Sequence, residues 1–352
     1  LSVPIVIDNF GDPVAALQEC IYKFGADSVL GQMVVAAIRG VLYSSLSNKL
    51  FPPIVCIVVP VGAVAADYSA ALAANLTMPM PYVAFGANGS DAALVTAVKN
   101  HVSAINANDR GDNGQFGSFA FLGLSGDTST ATPIGIGAAS EGLLFPWLRD
   151  TATVKSNRSF EVAAAVAALS AAEGIPFNPL NGVRVGGLIA PSKTSDYLTP
   201  GDAGSVALGL AAGLIPLTVS AGGDVQISRT VTSRRIVSST EDIAYYDMQD
   251  WQVLYYLRKN AYVLAQQPRY KQAKASIEKL QALKSELIKV CKDMESDGML
   301  QYVDLLAGQF SVKRSLSNRH AANYIIPVNV IPGFHNKGID LVAGVQFDVV
   351  VA

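Results

Sequence analysis

Charge is scarce in this chain. Lys, Arg, Asp and Glu make up 15% of its 352 residues, against the quarter or so usual for soluble domains, and the net charge is only −2. No block of like charge stands out, which argues against a nucleic-acid patch or a polybasic membrane anchor. Cysteine is sparse too: Cys20, Cys56 and Cys291 are odd in number and far apart, so reduced, buried thiols are expected rather than a disulfide framework or a zinc site. The three histidines, His101, His320 and His335, offer no pair at metal-ligand spacing. Long apolar runs are missing. The longest, 54–66 and 162–172, are short or broken by Pro60 and Ser170 and fall below the roughly 20 residues that span a bilayer. No positively charged segment precedes an apolar run near Leu1, so no signal peptide is read.

Apolar residues are abundant, at 50% with a mean hydropathy of +0.32, and the excess is rich in Ala and Gly. Without a membrane span, that surplus suits a sizeable core or close packing between copies of the chain. Charge is unevenly divided: residues 1–213 carry 10 Lys and Arg against 15 Asp and Glu, and residues 214–352 carry 16 against 13. Solvated helix faces account for this. A sharper reading has the lysine-bearing face of a helix over 271–292 meeting an acidic partner.

Taken in order, residues 4–7 read as a short strand, and Asp12-Pro13 opens a helix through Ala15, Ala16, Leu17 and Cys20. A second helix has Met33, Val34, Ala37 and Ile38 on its apolar side. The β-branched run 54–59 reads as a strand covered on both faces, hence part of an α/β core. Strands over 82–85, 118–122, 142–148 and 183–189 alternate with helices over 91–105 and 160–172, the pattern of a mostly parallel sheet with helices on its faces. Pro176, Pro179, Pro191, Pro200 and Pro216 mark an irregular crossing, with a domain boundary placed near 200–215.

Two glycine-rich turns invite a chemical reading. The stretch 86–91 follows a strand and precedes a helix, where backbone amides hold phosphate, yet it lacks the spacing of a dinucleotide fingerprint or P-loop, and Ser90 or Asp91 as N-cap explains it. Gly123-Leu124-Ser125-Gly126-Asp127 resembles a nucleophile elbow, but Gly directly follows the serine and nothing in sequence brings a histidine to Ser125. An α/β hydrolase or nucleotide-binding enzyme with an oligomerisation domain is the alternative these turns leave open, and no cofactor is indicated.

The last third says most. Residues 217–220 and 225–231 are β-rich runs around Ala221-Gly222-Gly223-Asp224, a hairpin. A helix from 250 runs until Pro268, and a second carries Ile277, Leu280, Leu283, Leu287, Val290 and Met294 on one stripe, with Lys274, Lys279, Lys284, Lys289 and Lys292 mostly off it, ending at Gly298. Tyr245, Tyr246, Trp251, Tyr255, Tyr256, Tyr262 and Tyr270 form an aromatic concentration. With few arginines around it, it reads as core or as an interface between copies rather than a nucleic-acid platform. The end is a strand: Val345, Phe347, Val349 and Val351 share one face, and its backbone groups pair either in its own sheet or with another molecule.

The order of the 225–232 run, Tyr245-Tyr246-Asp247, Leu254-Tyr255-Tyr256-Leu257-Arg258, Pro268-Arg269-Tyr270-Lys271 and the terminal strand resembles the C-terminal domain of contractile phage tail sheath proteins of the Mu-like branch. The strand, helix and Phe24-Gly25 turn near Leu1 look like the same family. Resemblance implies a longer N-terminal arm and a first strand ahead of this block. They are not in the stretch from Leu1, so processing or internal numbering is expected.

The expected fold is α/β, a central mostly parallel sheet flanked by helices over 1–210, followed by an α+β domain over 211–352 that ends in an exchanged strand. By resemblance the chain is a structural subunit and no enzyme. Copies form stacked hexameric rings around a tail tube, with tube, baseplate and tail terminator proteins as partners, no nucleic acid and no membrane insertion. The setting is the virion tail, with assembly in the host cytoplasm. Val345, Phe347, Val349 and Val351 would complete a neighbour's sheet, Pro332, Gly333 and Gly338 would act as a linker absorbing rotation, and Lys271, Lys274, Lys279 and Lys284 would approach the tube.

Overall fold

The structure, a computed structural model, describes residues 4–7, 12–47, 49–60, 62–75, 78, 80–107, 117–149, 158–175, 178–190, 203–237, 240–241, 246–271, 276–314 and 322–331. The first unit pairs strand β1 (Ile5–Ile7) with helices α1 (Pro13–Phe24) and α2 (Val29–Leu42) and strand β2 (Ile54–Cys56). Asp12 starts α1, its Oδ1 accepting from the amides of Val14 at 2.9 Å and Ala15 at 3.2 Å, as an N-cap should. Gly25 ends it at φ +80°. Ile7, Ala16, Cys20, Val34, Ile38 and Cys56 bury one face.

The run 54–59 is not the doubly covered strand expected. Only Ile54–Cys56 is extended, antiparallel to β1 in a separate two-stranded ladder, with Val55 and Val58 exposed. A β-branched run signals extended backbone, but which partner it finds is a tertiary matter.

Next come α3 (Ala65–Ala74), β3 (Tyr82–Ala84), α4 (Ala92–Asn106), β4 (Phe119–Phe121), β5 (Leu124–Ser125), α5 (Thr128–Ala138), β6 (Leu143–Leu148), α6 (Ser159–Ala172), α7 (Ala203–Ala211), β7 (Leu214–Val219) and β8 (Val225–Ile227). The strands form one six-stranded sheet in the order β3-β4-β6-β7-β8, with β5 beside β6. All of its pairings are parallel except that of β7 with β8. Alternation along β6 shows why it sits centrally: Leu144 and Leu148 face α6, while Leu143, Phe145 and Trp147 face the layer of α4 and α5, and all six of its residues are buried. Alanines make α6 fit between the sheet and α2. A Cβ on Gly40 would lie 3.1 Å from the Ala165 backbone, so much of the small-residue surplus serves close packing within the chain.

Two expectations change here. Residues 183–189 run beside β8 through Ile227 N to Val183 O at 3.0 Å and Val185 N to Val225 O at 2.8 Å, but only Arg184 forms a bridge. Gly186 and Gly187 break the strand because they press on α2: a Cβ at Gly186 would sit 2.4 Å from the Arg39 carbonyl. The hairpin of β7 and β8 is present, with Leu217 opposite Ile227, yet β7 pairs with β6. The sheet therefore draws strands from both sides of the 210/211 division, and the stretch read as irregular holds α7, with Pro216 inside β7.

Beyond the sheet lie β9 (Ile236–Val237), β10 (Thr240–Glu241), α8 (Met248–Ala265), the short α9 (Pro268–Lys271), α10 (Ile277–Ser296), β11 (Leu300–Gln301), α11 (Val303–Leu306), β12 (Ser311–Arg314), β13 (Ala322–Ile325) and β14 (Asn329–Val330). Leu283, Leu287, Cys291 and Met294 of α10 are buried, at the expected spacing, against Val253, Leu257, Ala261 and Leu264 of α8. β12 pairs with β13 and β11 with β14, each in a two-stranded antiparallel ladder. The three cysteines are free and buried; burial pushes the Cys20 thiol up to about 11 and those of Cys56 and Cys291 up to about 12.

Candidate functional site

In open α/β sheets a ligand crevice lies at the carboxyl ends of the strands, where both glycine-rich turns sit. Their groups are engaged with the chain itself. Asp91 caps α4, its Oδ1 accepting from the amides of Ala93 at 2.9 Å and Leu94 at 3.2 Å. Gly89 N donates to Gly123 O at 3.1 Å, which ties the two turns together. Gly123 lies so close to the start of α6 that a Cβ on it would be 1.7 Å from the Ser159 carbonyl oxygen. Ser125 belongs to β5, and the oxygen of the next residue, Gly126, accepts from Trp147 Nε1 at 3.0 Å. His101 is on α4; His320 and His335 lie outside the described residues. Among the described residues no three His, Cys, Asp or Glu gather as a metal site, and no helix is long and apolar enough to cross a membrane.

One opening lies at the other end of the sheet. A cleft of about 470 Å³ is lined by Tyr82, Phe119, Ile175, Met248, Tyr255 and Tyr256 among others, where α8 docks on the amino ends of β3 and β4. The docking is specific. Gln252 Nε2 donates to Tyr82 OH at 2.8 Å. Arg258 Nη1 donates to the carbonyl of Asn106 at 2.8 Å, a cation at the negative end of α4. Tyr255 packs on Phe119, ring centroids 5.4 Å apart, and on Trp251 at 6.0 Å, and Gly117 makes room beneath it, since a Cβ there would meet the ring at 1.8 Å. At the head of α8, Asp247 holds Arg229 in a two-pronged ion pair at 2.7 and 2.6 Å, and Tyr246 OH donates to Leu210 O. The aromatic concentration is thus largely an internal seam. Tyr256 is exposed at its margin, and Tyr245 lies outside the described residues.

Burial pushes the Tyr255 hydroxyl far up, with Glu141 adding to the shift and Arg258 and Arg234 opposing it. That hydroxyl has no hydrogen-bond partner among the described residues. Tyr255→Phe is therefore expected to be neutral or to stabilise by up to about 1 kcal/mol, because an unpaired buried polar group is removed. Tyr255→Ala should cost about 3 kcal/mol for the lost ring. Urea denaturation of the three proteins checks this, and a Phe variant as damaged as the Ala variant would show that the hydroxyl is bonded.

Of the residues singled out from sequence, Lys271 and Lys279 are exposed and Lys284 half-buried. Lys274, Pro332, Gly333, Gly338, Val345, Phe347, Val349 and Val351 lie outside the described residues. The ladder of β12 and β13, which exposes Tyr324 and Ile325, was not anticipated, although the β-rich Tyr324-Ile325-Ile326 is a strand signal.

No family model and no curated protein matches the sequence. Solved structures do. A sheath tail protein of Desulfitobacterium hafniense superposes with a TM-score of 0.56 at 13% identity, covering 76% of this chain and 60% of its own. The sheath tail protein Lin1278 of Listeria innocua gives 0.59 at 17% identity, covering 77% and 58%. A chain of the anti-feeding prophage baseplate is more distant, at 0.49 and 12% identity, covering 71% and 65%. This chain thus spans about three fifths of the two sheath proteins' length. At such identities the likeness is one of architecture: the chain has the fold of the sheath tail proteins.

Proposed function

We propose that this chain is a structural subunit of a contractile phage tail sheath, assembling as stacked hexameric rings around a tail tube and contracting to drive the tube through the host envelope. The shared fold carries the reading, at a TM-score of 0.59 over 77% of the chain. Its partners are then further copies of itself, the tube, and baseplate and terminator components. Its place is the virion tail, after assembly in the host cytoplasm.

The physics of the chain is compatible with mechanical work. The turns where an enzyme of this topology would bind its ligand are occupied by backbone contacts, and α8 is fastened to the sheet by an ion pair, hydrogen bonds and packed rings. Among the described residues the ladder of β12 and β13 has only two strands, and such a ladder offers an outer edge that a third strand can extend. In this reading Val345, Phe347, Val349 and Val351 supply such a strand to a neighbour, and Pro332, Gly333 and Gly338 let the link swivel. Main-chain hydrogen bonds hold such a link while the bodies reorient.

The test compares the full gene product with one ending at residue 344, by electron microscopy and circular dichroism. The full protein should form tubes, and the truncated protein should keep its helical signal but remain dispersed. A truncated protein that still builds tubes removes strand exchange from the account, and a full protein that stays a small closed oligomer removes the sheath reading.

A further inference from the structure

Charge is unevenly divided along the stretch that holds α9, α10 and the turn after it, although each half of α10 taken alone is balanced. A helix favours carboxylates at its start and cations at its end. Residues 268–289 carry six Lys and Arg against two Glu, whereas residues 290–304 carry one Lys against four Asp and Glu. The last turn of α10 has no basic residue, while Asp293 and Glu295 lie there and Asp297 is its C-cap. Arg269 is taken by Glu286 at 2.6 Å and Lys292 by Asp304 at 2.5 Å. Lys271 and Lys279 are exposed towards the start, Asp293 and Asp297 towards the end, and Lys289 is exposed one turn before Asp293. With 20 residues at about 1.5 Å each, the two ends stand roughly 30 Å apart. Glu278 in the first turn suits the dipole, whereas the carboxylates of the last turn oppose it, so helix stability does not explain the acidic end.

Each end also shows large apolar side chains. Ile277 is 75% exposed beside the lysines, and Tyr302 and Leu305 are 57% and 78% exposed beside the carboxylates. Tyr302 holds φ 62° and ψ 29°, one of two non-glycine residues with positive φ among those described. Backbone held in that region marks a position fixed by something other than local preference. Val303 N donates to Glu295 Oε1 at 3.1 Å, which anchors the strained turn to the end of α10.

We propose that α10 docks head to tail on a second copy of this chain. The basic start around Lys279 and Lys284, with Ile277, meets the acidic end around Asp293 and Asp297, with Tyr302 and Leu305, of the next copy. Apolar groups at the centre and opposite charges at the rim are what an interface needs. Because the two patches are different, the contact leaves each copy with one free end and propagates into rings or helical arrays. This rests on the self-assembly reading above and names a surface for it.

Charge reversal tests the pairing. One full-length protein carries Lys279→Glu with Lys284→Glu, and a second carries Asp293→Lys with Asp297→Lys. Lys279→Glu and the two Asp→Lys changes suit the helix dipole, but Asp293→Lys sets like charges at i, i+4 with Lys289, so circular dichroism is read with assembly and each variant must keep its helical signal. Each variant alone now presents like charge to like, and its sedimentable fraction should fall by about tenfold or more. Mixed, the two are complementary and should co-assemble. Raising ionic strength from about 0.01 to about 1 M, which cuts the screening length from roughly 30 to roughly 3 Å, should weaken the natural protein in the same sense.

Variants that assemble like the natural protein overturn the proposal, as does a mixture that stays dispersed. Loss on reversing the lysines alone, with the acidic end indifferent, also overturns it, and assigns the lysines to a different acidic partner such as the tube. If the natural protein itself does not assemble, the sheath reading falls and this contact falls with it.

Discussion

Trp147→Ala is expected to destabilise the protein by about 3 to 5 kcal/mol, the range for removing a large buried aromatic side chain. Trp147 is 2% exposed on the middle strand of the sheet, opposite Leu124 on one side and Pro216 on the other. Its ring fills the space between β6 and α7, where Gly209 leaves room: a Cβ there would stand 2.8 Å from the ring. Its Nε1 also satisfies the Gly126 carbonyl at 3.0 Å. Truncation therefore opens a cavity and loses a hydrogen bond at once. Trp147→Phe keeps most of the volume and loses the bond, so about 1 to 2 kcal/mol is expected. Of the two tryptophans, Trp251 survives in both variants and reports unfolding by fluorescence in urea. A midpoint for Trp147→Ala equal to that of the natural protein would show that the ring is not packed as described.

How much of this was legible in the sequence depended on whether the signal was local. Helix starts were, because Asp12 and Asp91 act on amides two and three residues away. The hidden strands of the sheet were legible as apolar runs around Phe119 and Leu143, since burial on both faces leaves that mark. What failed was partnership. Ile54–Cys56 read as core and proved to pair with β1. Residues 183–189 read as a strand and were broken by two glycines serving α2. The hairpin of 217–220 and 225–231 was recognised, but not the strand it would join, because nothing in its residues says that Leu217 will lie beside Leu148. The cleft under α8 was unreadable for the same reason: it arises from Gln252 reaching Tyr82 and Arg258 reaching Asn106, 170 and 152 residues apart in sequence. The aromatic concentration did announce a packed surface there, though not which side of the molecule it would seal.

Gly123→Ala should be the most damaging single methyl among the described glycines, with a loss of more than about 4 kcal/mol or a failure to yield soluble protein. The added Cβ would stand 1.7 Å from the Ser159 carbonyl oxygen and 2.5 Å from its carbon. Both are backbone atoms at the start of α6, a helix buried on nearly all sides, so it cannot retreat without disturbing α2 and the sheet together. Gly126→Ala is the control. Gly126 has φ +110° but open space around its Cβ position, so only the backbone strain of about 1 to 3 kcal/mol applies. Soluble yield and urea midpoints separate the two. Equal midpoints for both variants would mean that α6 does not abut the turn. The outcome bears on function because the turn that most resembles a nucleophile elbow is the one α6 covers. If the methyl is not tolerated, a ligand over Ser125 would have to displace backbone where a methyl group already has no room.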